Sequence, residues 1–303
     1  MQLQQLRTFV EVYRRRSISE AARVLGLTQP AVSQHVASLE SQLGRPLFER
    51  HARGVRPTAI ADDLAASLGT SLDSAEAALA SMRARSSQLG GVVHIAGPSD
   101  YMAESVAPRL DPLLQAGLEL RLHVGGRDQL FEMLLNGRTD LAFIVSRPDD
   151  ARLAFEALGT EKLHACASPA VAEAIMGSAD LAAALADTPH LAYDLDRPVV
   201  RTWLQANQLP LPSKMPVVTA PDLRVLRMML CNGTGWTVLP DYLCAASVSR
   251  GTLAIIPPPV TTPENRFHLA WTPSALRQPR VAFARNLLIE ALRRAEPADG
   301  LRR

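Results

Sequence analysis

Between Leu3 and Leu43 the apolar residues recur three times at helical spacing. Leu3, Leu6, Phe9, Val10 and Tyr13 mark a first amphipathic helix, ending in the basic run Arg14-Arg15-Arg16. Ser19 is expected to cap a second helix, where Ala21, Ala22 and Leu25 supply small apolar contacts before Gly26 stops it. A third helix opens at Thr28, a candidate N-cap, with Pro30 in the first turn, where a missing N–H costs little. Val32, Val36 and Leu39 form its apolar stripe, and Leu43-Gly44 ends it. Gln34 lies roughly opposite that stripe, flanked by Pro30 and Ser33. Leu47–Arg50 and Val55–Thr58 then read as two short strands around the loop His51-Ala52-Arg53-Gly54.

Short helices joined by a tight glycine turn, with alanines where they cross, form the helix-turn-helix pattern, because bulky side chains would hold the pair apart. A following helix with core on one side and amide or small side chains on the other suits a DNA major groove. Glutamine bonds adenine edges and serine bonds bases or phosphates. An ordinary amphipathic helix with a solvated polar face has the same periodicity, so its neighbours must decide. The strand–loop–strand bears Arg50, Arg53 and Arg56, a wing able to press guanidiniums on the backbone or into the minor groove. Leu47 and Phe48 are expected to close the core. Charge points the same way. Residues 1–60 hold nine arginines against four glutamates, a net +5, which leaves the rest of the chain at −3 given the overall +2.

From Ala59 to about Met82 only Gly69 interrupts good helix formers. Leu64, Leu68, Leu72, Ala75, Leu79 and Met82 recur in steps of four and three, a seam that needs a partner. Asp62 and Asp63 near its start and Arg83 and Arg85 near its end complement the helix dipole. Ser86-Ser87-Gln88-Leu89-Gly90-Gly91 reads as a hinge. Beyond it strand and helix patterns alternate: Val92–Ala96, a helix around Met102–Leu114, the half-buried strand Leu118–Val124, a helix over Gln129–Asn136, and the apolar run Leu141–Val145, suited to a central parallel strand. The alternation resumes near Leu163 and passes through His190–Tyr193 and a helix over Leu223–Leu230 to Leu253–Ile256 and Pro257-Pro258-Pro259. Phe267–Trp271 looks like a strand returning to the first half, completed by a helix around Val281–Arg293. Such alternation implies an α/β body with ligand contacts at the carboxyl ends of its strands.

The N-terminal stretch closely resembles the LysR-type transcriptional regulators. The match runs through Phe9, Ser19, Ala21-Ala22, Leu25, Thr28-Gln29-Pro30-Ala31, Ser33, Leu39-Glu40, Leu43-Gly44, Leu47-Phe48 and Arg50, without a gap over residues 3–60. Asn136–Phe143 and Gly233–Pro240 match recurring patterns of the same family's sensor region. The resemblance implies an α+β winged helix-turn-helix over residues 1–58 and a linker and dimerisation helix with hinge over 59–89. An α/β effector domain like type II periplasmic binding proteins then fills 90–303. Lobe I is expected at about 91–162 plus 267–303, and lobe II at about 163–266. Where the family usually shows Thr, two residues, then Gly, this chain has Thr58-Ala59-Ile60-Ala61, which is expected to stiffen the entry to the next helix without threatening DNA binding.

The DNA-reading candidates are therefore Gln29, Pro30, Ser33 and Gln34, with Arg50, Arg53 and Arg56 on the wing; Leu64, Leu68, Leu72, Leu79 and Met82 are the dimerisation candidates. For the effector, Ser99 comes first, since the family often carries a carboxylate-binding Ser or Thr there, followed by Asp100 and Tyr101. Ser99 or Asp100 capping the helix is an equal alternative. Ser146 and Arg147 follow the central strand, where the arginine can clamp a carboxylate or simply be solvated. Tyr193, Asp194, Thr234 and Gly235 are the second-lobe candidates. Asp100 beside Ser99, with Asp194, raises the idea of an effector carrying an amine.

Composition, 47% hydrophobic and 20% charged, is that of a globular protein. No signal peptide or membrane-length apolar run appears, so a cytoplasmic location away from membranes is expected. Cys166, Cys231 and Cys244 lack metal-ligand spacing and read as buried reduced thiols, with a Cys231–Cys244 redox pair as the other option. Neither metal, cofactor nor catalytic residue is expected. The whole describes a homo-oligomeric regulator of promoter DNA controlled by a small molecule. The resemblance adds a tetramer, and RNA polymerase would be a partner of an activator. An effector-independent architectural DNA protein and an enzyme with a fused winged helix are the competing classes.

Overall fold

A computed structural model describes residues 3–51, 54–68, 90–145 and 147–293. The chain divides into two compact units. One comprises Met1–Leu89, Pro148–Phe155 and Trp271–Phe283, and the other Gly90–Arg147, Glu156–Ala270 and Ala284–Arg303.

The first unit contains α1 (Leu3–Arg15), α2 (Ile18–Leu25), α3 (Gln29–Leu43), the antiparallel pair β1 (Phe48–His51) and β2 (Gly54–Pro57), and α4 (Ala59–Leu68). The stripe read from sequence is the buried face of α3: Val32 and Leu39 are fully buried and Val36 nearly so. Each such side chain contributes about 1.5–3 kcal/mol by leaving water. They pack with Ala21, Ala22 and Val12 on one side and with Phe9 and Leu47 on the other. The cap of α2 differs from expectation. Ser17, extended at φ −150°, accepts the Glu20 N–H at 3.2 Å, while Ser19 lies exposed inside the first turn with its own N–H already past the cap. Each wing strand also starts or stops one residue from its expected bounds. Leu47 precedes β1 as a fully buried plug, and Thr58 follows β2 and caps α4, accepting from Ala61 at 3.3 Å while donating to the Pro46 and Leu47 carbonyls. Ala61, where the family shows glycine, is completely buried, so its methyl group fills core space.

The second unit is built on a seven-stranded mixed sheet in the order β10-β6-β11-β5-β3-β4, with β9 also on β6. These strands are β3 (Gly91–Gly97), β4 (Leu118–Val124), β5 (Leu141–Ile144), β6 (Ala154–Ala167), β9 (Trp236–Pro240), β10 (Ala254–Ile256) and β11 (Glu264–Trp271); a small parallel pair, β7 (Leu191–Ala192) and β8 (Val218–Thr219), stands beside them. As its unbroken apolar run implies, β5 is buried throughout and runs parallel to β3; its other neighbour, β11, is antiparallel. The strand β4 is less covered than its alternation implied. Leu118 is buried, but Leu122 and Val124 are exposed, because β4 is the last strand of the sheet. The single helix expected over Met102–Leu114 is instead a chain of short turns: Ser99–Tyr101, a π turn at Met102–Val106, a 3-10 turn at Ala107–Arg109, and Asp111–Gln115. Pro108 and Pro112 each begin a new turn, since neither can donate to the preceding one. The expected lobe boundaries near residues 163 and 267 fall inside β6 and β11.

Cys166 and Cys244 are buried and Cys231 is half-buried, none of them in a disulfide. The neighbour of Cys244 is Cys166 and not the expected Cys231, and the Cys166 thiol is pushed up by hydrogen bonding to Cys244 and by burial.

Two glycines separate conformational strain from steric exclusion. Gly235 has φ +62° and a Cβ there would lie 2.0 Å from the Pro189 carbonyl oxygen, whereas Gly137 has φ +69° and open space around it. Gly137→Ala should therefore cost about 1–2 kcal/mol. Gly235→Ala should cost more than about 3 kcal/mol, since backbone must move as well. Urea unfolding of both variants measures the difference.

Candidate functional site

Two regions gather chemistry. In the first, α3 starts at Thr28, whose hydroxyl accepts the Ala31 N–H at 3.4 Å, and Pro30 occupies the first turn. Gln29, Pro30 and Gln34 are exposed and Ser33 is half-buried, on the side away from the stripe. The helix is stapled to α1 by polar contacts as well as by its apolar side: Thr8 Oγ1 lies 2.9 Å from His35 Nδ1, and Gln5 donates to Ser38 at 2.9 Å. At its far end Glu40 accepts the Leu47 and Phe48 N–H groups at 2.7 and 3.1 Å, tying the wing to the helix that precedes it. The wing is fixed a second time where the Val55 N–H donates to the Arg16 carbonyl at 3.0 Å. Arg56 is exposed on β2. Arg53 lies outside the described residues, as does the side chain of Arg50. Of the seam, Leu72, Leu79 and Met82 also lie outside them, while Leu64 and Leu68 are half-buried against the core formed by Phe9, Leu39 and Leu47.

The second region lies at strand ends of the α/β unit. Ser99, after β3, donates to the Pro221 carbonyl at 3.3 Å, just beyond β8. Tyr193 follows β7, and its hydroxyl would lie 3.7 Å from a Cβ at Gly126, just beyond β4. Neither Ser99 nor Asp100 caps the short helix they begin, whose N-cap is Pro98. Asp194 is occupied in its own loop, accepting the Arg197 N–H at 2.9 Å. Arg147 is exposed, Ser146 lies outside the described residues, and Thr234-Gly235 forms the turn into β9.

Beneath these strand ends sits a buried cluster of acids and aromatic rings. Asp100, 3% exposed, accepts the Tyr242 hydroxyl at 2.7 Å. Tyr101 stacks on Phe267 with ring centroids 3.8 Å apart, and Tyr242 meets Tyr101 edge-on. Glu161 on β6, 6% exposed, accepts from the Asn265 amide at 3.0 Å. Burial raises both acids, with charge repulsion from Asp222 acting on Asp100 and from Asp100 and Asp241 on Glu161, which reaches about 8. Burial and the same acids raise Tyr242. Asp222 is held low by the bidentate Arg224 beside it. Glu161 had a signal in the sequence: alternation along β6 puts it on the face of Leu163, Ala165 and Ala167, all buried. Tyr242 had none, because its contact with Asp100 joins residues 142 positions apart.

A winged helix-turn-helix with an exposed amide face, followed by an α/β ligand-binding body, defines a DNA-binding transcription regulator with an effector domain. The family model described as the bacterial regulatory helix-turn-helix protein of the lysR family matches residues 3–62, and the LysR substrate binding domain matches residues 86–293. The HTH-type transcriptional regulator AbaB of Streptomyces antibioticus is 38% identical over 300 residues, covering 96% of this chain and 98% of that protein. PcaQ of Agrobacterium fabrum is 27% identical over 304 residues, covering 96% and 93%. Among solved structures, the LysR-type regulator CrgA of Neisseria meningitidis aligns with a TM-score of 0.61 at 23% identity, covering 95% of this chain and 98% of its own. LysG of Corynebacterium glutamicum, with bound effector Arg, aligns at 0.55 and 20% identity, covering 96% and 98%. The chain belongs to the LysR-type transcriptional regulators. Neither the architectural nor the enzymatic alternative is favoured by these relatives. Among the described residues, no helix is long and apolar enough to cross a membrane.

The buried acid gives a pH test. Glu161 holds its proton up to about pH 8 in the folded chain and loses it near the ordinary carboxylate value of 4.5 when unfolded. Its contribution to stability is thus complete below that lower value and is lost as pH rises to about 8. Its share is at most about 1.4 kcal/mol per pH unit. Urea unfolding from pH 5 to 8 should show this slope, and Glu161→Gln should flatten it.

Proposed function

We propose that this chain regulates transcription by reading promoter DNA with residues 1–58 and a small molecule with residues 90–303. The observation that carries the reading is the two-sidedness of α3: Val32, Val36 and Leu39 are buried while Gln29, Pro30 and Gln34 are exposed. Gln29, Ser33 and Gln34 read base edges in the major groove, with Pro30 packing close, and Arg50, Arg53 and Arg56 grip the backbone or minor groove. Glu40 and the Arg16 carbonyl hold wing and helix in one register, so both meet the same duplex.

Residues 59–89 pair two copies through Leu64, Leu68, Leu72, Leu79 and Met82, which lets two recognition helices read two half-sites. Two such dimers form a tetramer, and an activating complex touches RNA polymerase. The site of action is the cytoplasm. The effector enters between lobe I and lobe II, near Ser99, Asp100, Tyr101, Ser146, Arg147, Tyr193, Asp194, Thr234 and Gly235. Support comes from the strand-end convergence of Ser99 with Pro221 and of Tyr193 with Gly126, and from the effector-bound state of LysG. Effector then shifts lobe closure and subunit packing, and with them the spacing or bend of the half-sites.

Genomic footprinting of the full chain supplies the operator, and a protein that coats DNA with little preference would refute the reading. On that operator, Gln29→Ala should weaken binding by roughly 1–3 kcal/mol with little loss on random DNA. Arg56→Ala should weaken both DNAs and flatten the salt dependence. Titrations at several salt concentrations measure both effects, and equal losses on both DNAs from both variants would remove the assigned division of roles.

A further inference from the structure

Among the described residues neither Asp100 nor Glu161 beneath the strand ends forms an ion pair, and Arg224, which acts on Asp100, is paired with Asp222. One oxygen of Asp100 takes the Tyr242 hydroxyl, and one oxygen of Glu161 takes the Asn265 amide. The other oxygen, Oε2 of Glu161, is buried and has no hydrogen-bond partner among the described residues. The groups facing Glu161 are Asp100 and Tyr101 after β3, Asp241 and Tyr242 on the following helix (Asp241–Ser249), and Asn265 on β11. None is basic. On its own strand Lys162 is exposed, and burial pushes the His164 imidazole below its ordinary range. The nearby Arg224 and Arg227 are engaged by Asp222 and Glu104.

Buried carboxylates in this arrangement need either a proton or a cation. Their walls are aromatic, with Tyr101 stacked on Phe267 and Tyr242 set edge-on. Paired acids with aromatic rings recognise an organic cation by charge and by the negative ring faces. We infer that the effector of this chain carries an ammonium or guanidinium group, and that Glu161 and Asp100 receive it as the Tyr242 hydroxyl is displaced from Asp100. The inference rests on the strand-end cleft being the effector site. It moves the charge-reading pair from Asp100 with Asp194 to Asp100 with Glu161, since Asp194 is occupied by its own loop.

Binding exchanges the proton on Glu161 for the ligand cation, so affinity rises with pH until that acid is fully ionised. Putrescine and agmatine serve as cationic probes, glutarate as an anion of similar length, and magnesium as an inorganic cation. Each is titrated into the full chain at pH 6.5 and 8 at constant ionic strength, with thermal unfolding and calorimetry as readouts. At least one organic cation should bind roughly tenfold more tightly at pH 8 than at pH 6.5. Glu161→Gln should weaken it about tenfold or more and abolish the pH dependence, and Tyr242→Phe, which frees Asp100, should tighten it. Organic cations that bind no better than sodium, that bind Glu161→Gln equally well, or that magnesium outcompetes would overturn the inference. Glutarate binding that Ser99→Ala abolishes, with organic cations silent, would overturn it while leaving the cleft standing. Silence from every probe would count against both.

Discussion

Everything α3 can offer to DNA depends on its other side being withdrawn from water. Val32, Val36 and Leu39 seat the helix, and Ala21 and Ala22, buried where α2 crosses, keep that seat shallow enough for the two helices to approach. A larger residue at either alanine would lift α3 from the core. With the helix seated, Glu40 faces the start of the wing and accepts two backbone N–H groups that would otherwise remain unpaired. One apolar stripe thus fixes the helix and, through one carboxylate, the hairpin after it.

The α/β unit rests on a comparable asymmetry. The central strands β3 and β5 are covered well enough to carry almost no polar side chains, whereas β6 carries Glu161 into the same interior. A strand that bears a buried acid between Leu158 and Leu163 gives up stability that an alanine or valine would supply.

Much of this was legible in the sequence, and what was not has separate causes. The stripes of α1 and α3, the glycine stops and the run of β5 are local periodicities, and local periodicity survives folding. The cap of α2 was displaced from Ser19 to Ser17 because two serines compete within one turn and only the backbone angle of the first suits the role. The broken path after Ser99 was written in Pro108 and Pro112, which the apolar spacing around them obscured. The Asp100–Tyr242 and Glu161–Asn265 pairs join residues more than a hundred positions apart, where no spacing rule reaches.

The wing carries a limit on how this regulator can change over evolutionary time. Gly54 opens β2 with φ +138°, and a Cβ there would stand 2.5 Å from the Arg16 carbonyl oxygen, the same carbonyl that holds Val55. No side chain can be introduced at that position without unfastening the hairpin from α1. Retuning of the wing toward a new promoter is therefore channelled into the two residues between the strands and into the outward positions of β1 and β2. On α3 the exposed Gln29 and Gln34 carry no such backbone constraint. The two elements proposed to meet DNA consequently have unequal room to diverge.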